Sequence, residues 1–194
     1  GVEGGGSVPT PGEGRPALQS HVLPVLVGDA DREPLAGHGI SINPCFLRPK
    51  SRGSVRLRSA DPMAPILFDG GYLQAQEDVA TLVPGVKLAR RILRAPALRE
   101  LVPEELAPSA ADDLSDDAIE TYVRQRAKTV YHPSGTCRMG SDGMAVVDAR
   151  MRVHGMKKLR VCDASVMPSL VSGNTNAPTV MLAERCADFA LSGN

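Results

Sequence analysis

Three short segments in the last third of this 194-residue chain hold residue types that could do chemistry. The first is Tyr131-His132-Pro133-Ser134-Gly135-Thr136-Cys137-Arg138-Met139-Gly140. A histidine directly before proline, in turn-forming sequence, belongs to a loop, and loop side chains on a rigid frame are often functional. An imidazole ordinarily titrates near neutrality, so it can take a proton from an alcohol. The plainer alternative is a loop histidine bonded to backbone. Ser134 and Cys137 are weak nucleophile candidates, because no G-x-S-x-G elbow is present. His21, His38, His132 and His154 are too scattered to suggest a metal centre, and none is expected.

The second segment is Val161-Cys162-Asp163-Ala164-Ser165-Val166-Met167-Pro168. A short apolar strand runs into Asp-Ala-Ser, and strand carboxyl ends are where α/β sheets bind ligands. Asp163 reads equally as a structural turn residue. The third is Gly173-Asn174-Thr175-Asn176-Ala177-Pro178-Thr179, which opens a helix. The first amides of a helix are unpaired donors with positive partial charge, and they favour an anion. Plain capping by Asn176 is the alternative.

Several elements must position these segments. Alternating or β-rich stretches at His21-Val22-Leu23, Val25-Leu26-Val27, Ile40-Ser41-Ile42 and Ser54-Val55-Arg56-Leu57-Arg58 predict strands, with Pro24 marking an edge or bulge. Val79, Leu82, Val83, Val86, Ala89, Ile92 and Leu93 recur with helical period over 76–94, and Pro84-Gly85 predicts a kink or split. A second helix is expected over 115–128, with Ser115 as N-cap, Asp116 and Asp117 at its positive end, and Ala118, Ile119, Tyr122 and Val123 as its buried stripe. Short strands are expected around Val146-Val147, Met151-Arg152-Val153 and Leu159–Cys162. The last helix should begin near Pro178 and run to about Leu191; it is apolar nearly all round, which predicts deep burial. Residues 1–16 are Gly/Pro/Ser-rich and read as a flexible loop or terminus; their glycine spacing does not match a phosphate-cradling loop.

Composition narrows the classes. The formal net charge is zero, from 22 basic and 22 acidic residues, which argues against a nucleic-acid binder held by a broad basic surface. No apolar run reaches the ~18–20 residues of a membrane helix. Aromatics make up only 3%, so the core must be aliphatic. Cys45, Cys137, Cys162 and Cys186 contain no Cys-x-x-Cys pair and are expected reduced and semi-buried, which fits a reducing, cytoplasmic compartment. The first residue is Gly1 and not Met, as expected for a processed product or one piece of a larger protein.

Together the three segments closely resemble the carboxyl-terminal part of the glucose–methanol–choline (GMC) family of flavin oxidoreductases. The family pattern is a His-Pro/Gly-x-Gly-Thr-Cys-x-Met-Gly loop, then Val-Val-Asp and an Arg-Val-x-Asp-Ala/Gly-Ser strand end, then an Asn- or His-containing turn and a helix. This chain has YHPSGTCRMG at 131–140, VVDARMRVHGMKKLRVCDASVMP at 146–168 and GNTNAPTVMLAERCAD at 173–188, in the same order and spacing. PKSRGSVRLRSADPMAPI at 49–66 fits the family's substrate-domain strand more loosely, and the resemblance covers roughly 17–192.

The resemblance implies an α/β (α+β) fold: an antiparallel substrate-domain sheet with helices over 17–130, then an active-site loop and the completion of a Rossmann-like FAD-binding domain over 131–194. It implies FAD as cofactor and oxidation of an alcohol by hydride transfer to flavin N5. His132 is then the general base and Asn174 the second active-site residue, holding the substrate oxygen. The cofactor-binding positions are Asp163, Ala164, Thr175, Asn176 and Thr179. Amides around Asn176–Thr179 would stabilise negative charge arriving on the reduced ring. The sequence departs from the family in one respect: it contains no G-x-G-x-x-G fingerprint after a strand. That predicts a split or cleaved enzyme, a hetero-oligomer in which a separate amino-terminal chain grips the pyrophosphate. A lyase of the same family and a non-catalytic subunit are the alternatives.

Overall fold

The computed structural model describes residues 4–9, 14–28, 37–108 and 114–193. They fall into two compact units, 1–52 with 71–128, and 53–70 with 129–194. Residues 53–70 group with the second unit.

In the first unit, β1 (Gly4–Pro9), β2 (Pro16–Leu23) and β3 (Ser41–Phe46) form an antiparallel sheet in the order β1-β2-β3. β1 corrects the expectation of a flexible 1–16. Its glycines offer no side-chain period to read, and pairing with β2 supplies the order. Residues 1–3 and 10–13 lie outside the described residues. β2 stops at Leu23, because Pro24 has no N–H to continue a ladder. Val25–Val27, expected as a strand, are held instead by one side chain: Ser41 Oγ accepts from the Val27 N–H (3.0 Å) and donates to the Val25 carbonyl (2.8 Å).

Helix α1 (Gln76–Leu93) runs through Pro84 without interruption, against the expected kink or split. Gly85 explains the dipeptide: a Cβ there would lie 2.9 Å from Pro44 Cβ and 3.2 Å from Leu18 Cδ1, so its absence lets the helix close on β2 and β3. Asp78, buried at its first turn, accepts the Lys50 and Ser51 N–H groups at 2.7 and 3.0 Å. Helix α2 (Asp116–Arg126) starts at the expected cap, with Ser115 Oγ accepting the Ala118 N–H at 3.2 Å. Ile119 and Val123 pack with Val79, Val83 and Val86 in the aliphatic core.

In the second unit, β4 (Ser54–Arg56) and β5 (Leu67–Asp69) form an antiparallel hairpin. The expected strands near 146, 151 and 159 are reduced to isolated bridges, Met139 with Val147, Val147 with Val153, and Arg152 with Arg160. These coils surround a core of Val147, Met151, Val166 and Cys186. Helix α3 (Asn176–Leu191) corrects the expectation of deep burial. Only Cys186 is buried, while Val180 and Met181 are each 53% exposed and Leu191 is 88% exposed. One side of α3 meets this core through Leu182 and Cys186, and Phe189 near its end lies under the Arg150 guanidinium, 5.3 Å from the ring centre. No helix of the described residues is long and apolar enough to cross a membrane.

Candidate active site

The 131–140 loop is fixed by backbone hydrogen bonds to the Asp163 segment. The N–H groups of Gly135, Cys137 and Met139 donate in turn to the carbonyls of Ala164 (3.3 Å), Ser165 (2.9 Å) and Val166 (2.9 Å). Gly135 has φ +84°, and a Cβ there would meet the Met167 carbonyl at 3.3 Å, so this step of the ladder requires glycine. Tyr131, just before the histidine, is also left-handed at φ 65°. A non-glycine residue held there next to a chemically capable side chain is the kind of backbone strain that clusters at functional sites. Beyond the loop, the Asp148 carboxylate gathers the N–H groups of Arg150 and Arg152 and the Arg152 Nε. Burial opposes its ionisation, yet these donors outweigh burial and hold the carboxyl below its ordinary range.

His132, half-buried, is bonded at both ring nitrogens. Its Nδ1 lies 2.8 Å from Thr175 Oγ1, and its Nε2 lies 3.0 Å from Asn174 Nδ2. The structure thus brings His132 and Asn174 together across 42 residues of sequence, as the account of an alcohol-handling pair requires. Thr175 is buried and Asn174 exposed.

The five expected cofactor positions differ in what they still have to offer. Asp163 is exposed, and its Oδ1 accepts the Ser165 N–H at 2.7 Å, closing the 3₁₀ turn Ala164–Val166. The Ala164 carbonyl receives Gly135. Both donors of Thr179, its N–H and its hydroxyl, point to the Thr175 carbonyl, at 2.9 and 2.7 Å. Pro178 has no N–H. The open donors at the start of α3 therefore narrow from the expected Asn176–Thr179 stretch to the Asn176 and Ala177 N–H groups, both on exposed residues. Asn176 is the first helical residue and does not cap.

Cys162 and Cys45 are poor nucleophiles by environment. Burial, then a hydrogen bond with Cys186, then the Cys186 and Asp163 charges push Cys162 up to about 11, and burial raises Cys45. All four cysteines are unpaired.

The family profile of GMC oxidoreductases matches residues 49–183. The chain belongs to the GMC oxidoreductase family. It is 46% identical over 189 residues to an alcohol dehydrogenase [acceptor] of Pseudomonas putida, covering 97% of this chain and 34% of that protein. It is 42% identical over 175 residues to an oxygen-dependent choline dehydrogenase of Pseudomonas savastanoi pv. phaseolicola, covering 89% and 30%. Among solved structures, pyridoxine 4-oxidase from Mesorbium loti superposes with TM-score 0.81 at 31% identity, covering 90% of this chain and 34% of that one. Formate oxidase from Aspergillus oryzae superposes with TM-score 0.83 at 27% identity, covering 93% and 32%. The chain spans about a third of the length of these GMC relatives, and its mixed helices and antiparallel sheets are the carboxyl-terminal part of their α/β fold.

Sequence reasoning placed Thr175 in a matched cofactor segment and missed its bond to His132. The only signal was a hydroxyl residue next to Asn174, which no periodicity marks.

Proposed function

We propose that this chain supplies the proton-handling half of an FAD-dependent oxidation of an alcohol to a carbonyl compound. The observation that carries this reading is the pairing of His132 Nε2 with the Asn174 amide at 3.0 Å, on a loop laddered to the Asp163 turn. Family membership supports FAD as the cofactor, and the residues present fit an electron-rich ring edge. The Asn176 and Ala177 N–H groups are open, on exposed residues, at the positive end of α3. Together with Asp163, Ala164 and Thr175 they form this chain's share of the cofactor site.

Bound FAD supplies the two-electron chemistry, taking up the hydride that leaves the alcohol carbon. The rest falls to the protein. Asn174 offers both a donor and an acceptor and orients the substrate oxygen. His132 accepts the hydroxyl proton at Nε2 as the C–H bond breaks with its electron pair, leaving a carbonyl. Such general-base help is worth about 10²–10⁴-fold in rate. The helix dipole and open amides of α3 favour negative charge beside them.

The exposed apolar Val180, Met181 and Leu191 of α3 support an amino-terminal portion, outside these residues, that covers this helix and holds the pyrophosphate. Exposed apolar surface of this kind marks an interaction site. Residues 17–130 correspond to part of the substrate-binding domain. Anaerobic mixing of the purified complex with choline and a panel of primary alcohols is the test. Bleaching of the oxidised-flavin absorbance with matching carbonyl product is expected. Turnover that leaves the colour unchanged would indicate a lyase and overturn the reading. The 194-residue chain binding FAD tightly by itself would overturn the need for that portion.

A further inference from the structure

The geometry points to Thr175 as a positioning residue that fixes the tautomer of His132, presenting the unprotonated Nε2 to the substrate. This inference rests on His132 being the base, and deepens that reading. An amide nitrogen only donates, so the Asn174 Nδ2 at 3.0 Å makes Nε2 the acceptor. A neutral imidazole with its lone pair at Nε2 carries its proton on Nδ1. Nδ1–H then donates to Thr175 Oγ1 at 2.8 Å.

Three further features fit this role. Threonine is a favoured N-cap, yet Thr175, at the cap position of α3, makes no side-chain cap bond. Its ψ of −11° is helical and not the extended value that capping uses, and its hydroxyl turns to the imidazole. The cap bond is forgone, and the open amides of α3 are kept. The residue is also anchored. Thr175 is only 8% exposed, and its carbonyl receives both the N–H and the hydroxyl of Thr179. Finally, a hydroxyl oxygen keeps accepting from Nδ1–H when Nε2 is protonated, so the ring need not turn during the reaction.

Replacement by an apolar isostere leaves Nδ1–H without a partner. The ring then favours the Nε2–H tautomer, with the Asn174 amide turned to offer its oxygen, and Nε2 no longer accepts the alcohol proton. The test uses the flavin-loaded enzyme containing this chain, labelled with ¹⁵N-histidine, in wild-type, Thr175→Ser and Thr175→Val forms. Long-range ¹H–¹⁵N correlation at alkaline pH reads the tautomer of His132. Rapid anaerobic mixing with the alcohol that bleaches the wild-type enzyme reads flavin reduction. The expected result is Nδ1–H in wild type and Thr175→Ser, and a shift to Nε2–H in Thr175→Val. Flavin reduction in Thr175→Val should slow by about 10- to 100-fold, the range seen when outer partners of metal-bound imidazoles are removed, with little change in half-saturating alcohol. Thr175→Ser should restore the rate. Nε2–H in the wild-type enzyme would overturn the assignment even if Thr175→Val failed to fold. Unchanged tautomer and rate in a folded Thr175→Val enzyme would overturn it too. Full activity of His132→Ala would instead strike the underlying reading of the base.

Discussion

In the first unit, α1 and α2 bury Val79, Val83, Val86, Ile119 and Val123 in regular, periodic elements. In the second, a core of similar size, Val147, Met151, Val166 and Cys186, is wrapped mostly by coil. There, isolated bridges and a run of N–H to carbonyl bonds between 135–139 and 164–166 replace helices and strands. The proposed chemistry sits on the second kind of structure. A loop can aim a side chain in a direction no helix face or strand pleat offers, provided its backbone donors are satisfied. The ladder from Gly135 to Met139 meets that condition and leaves His132 at its mouth.

If this contrast is right, the two units fail differently. Ile119→Ala removes a fully buried side chain and should cost about 2–5 kcal/mol by chemical denaturation, with faster amide exchange across α1 and α2. A loss below about 1 kcal/mol would mean that side-chain packing does not hold the helix pair. Gly135→Ala forces a side chain into a left-handed position against the Met167 carbonyl and should cost about 1–3 kcal/mol. Its signature is local: the Cys137 and Met139 amides should exchange faster. Unchanged protection there would separate the loop's order from its ladder. Ser115→Ala should cost about 1 kcal/mol and fray the first turn of α2, visible as a lower melting temperature.

The smallest effect concerns Asp142. Hydrogen bonds from Arg138, then from the Met144 N–H, hold its carboxyl at about 2, below the ordinary 3.8. Its folded pKa is depressed, so its contribution is present above pH ~4 and fades as pH falls toward 2. Carboxyl NMR should show a midpoint near 2, and Arg138→Ala should bring it back toward 3.8. An Asp142 midpoint at 3.8 in the wild-type chain would remove the Arg138 clasp from the account.

The same contrast governs what the sequence revealed. The period of Val79, Val83 and Val86 and the Ser115 cap were legible, because helix chemistry is local. β1 was not, since Gly4–Gly6 acquire order only through β2. The apolar character of α3 is legible in its sequence but its exposure is not, because burial is set by what packs against a helix and not by its composition. His132 and Asn174 were legible as a pair through the family's motif order, not through any local rule. The Thr175–His132 bond joins residues 43 apart and could be seen only in three dimensions.

The most direct measurement is the rate of flavin reduction by an alcohol substrate, in wild-type and His132→Ala forms of the assembled enzyme mixed anaerobically. An imidazole that accepts the hydroxyl proton predicts a fall of about 10²–10⁴-fold with flavin still bound. An unaltered rate in the His132→Ala enzyme would contradict the account.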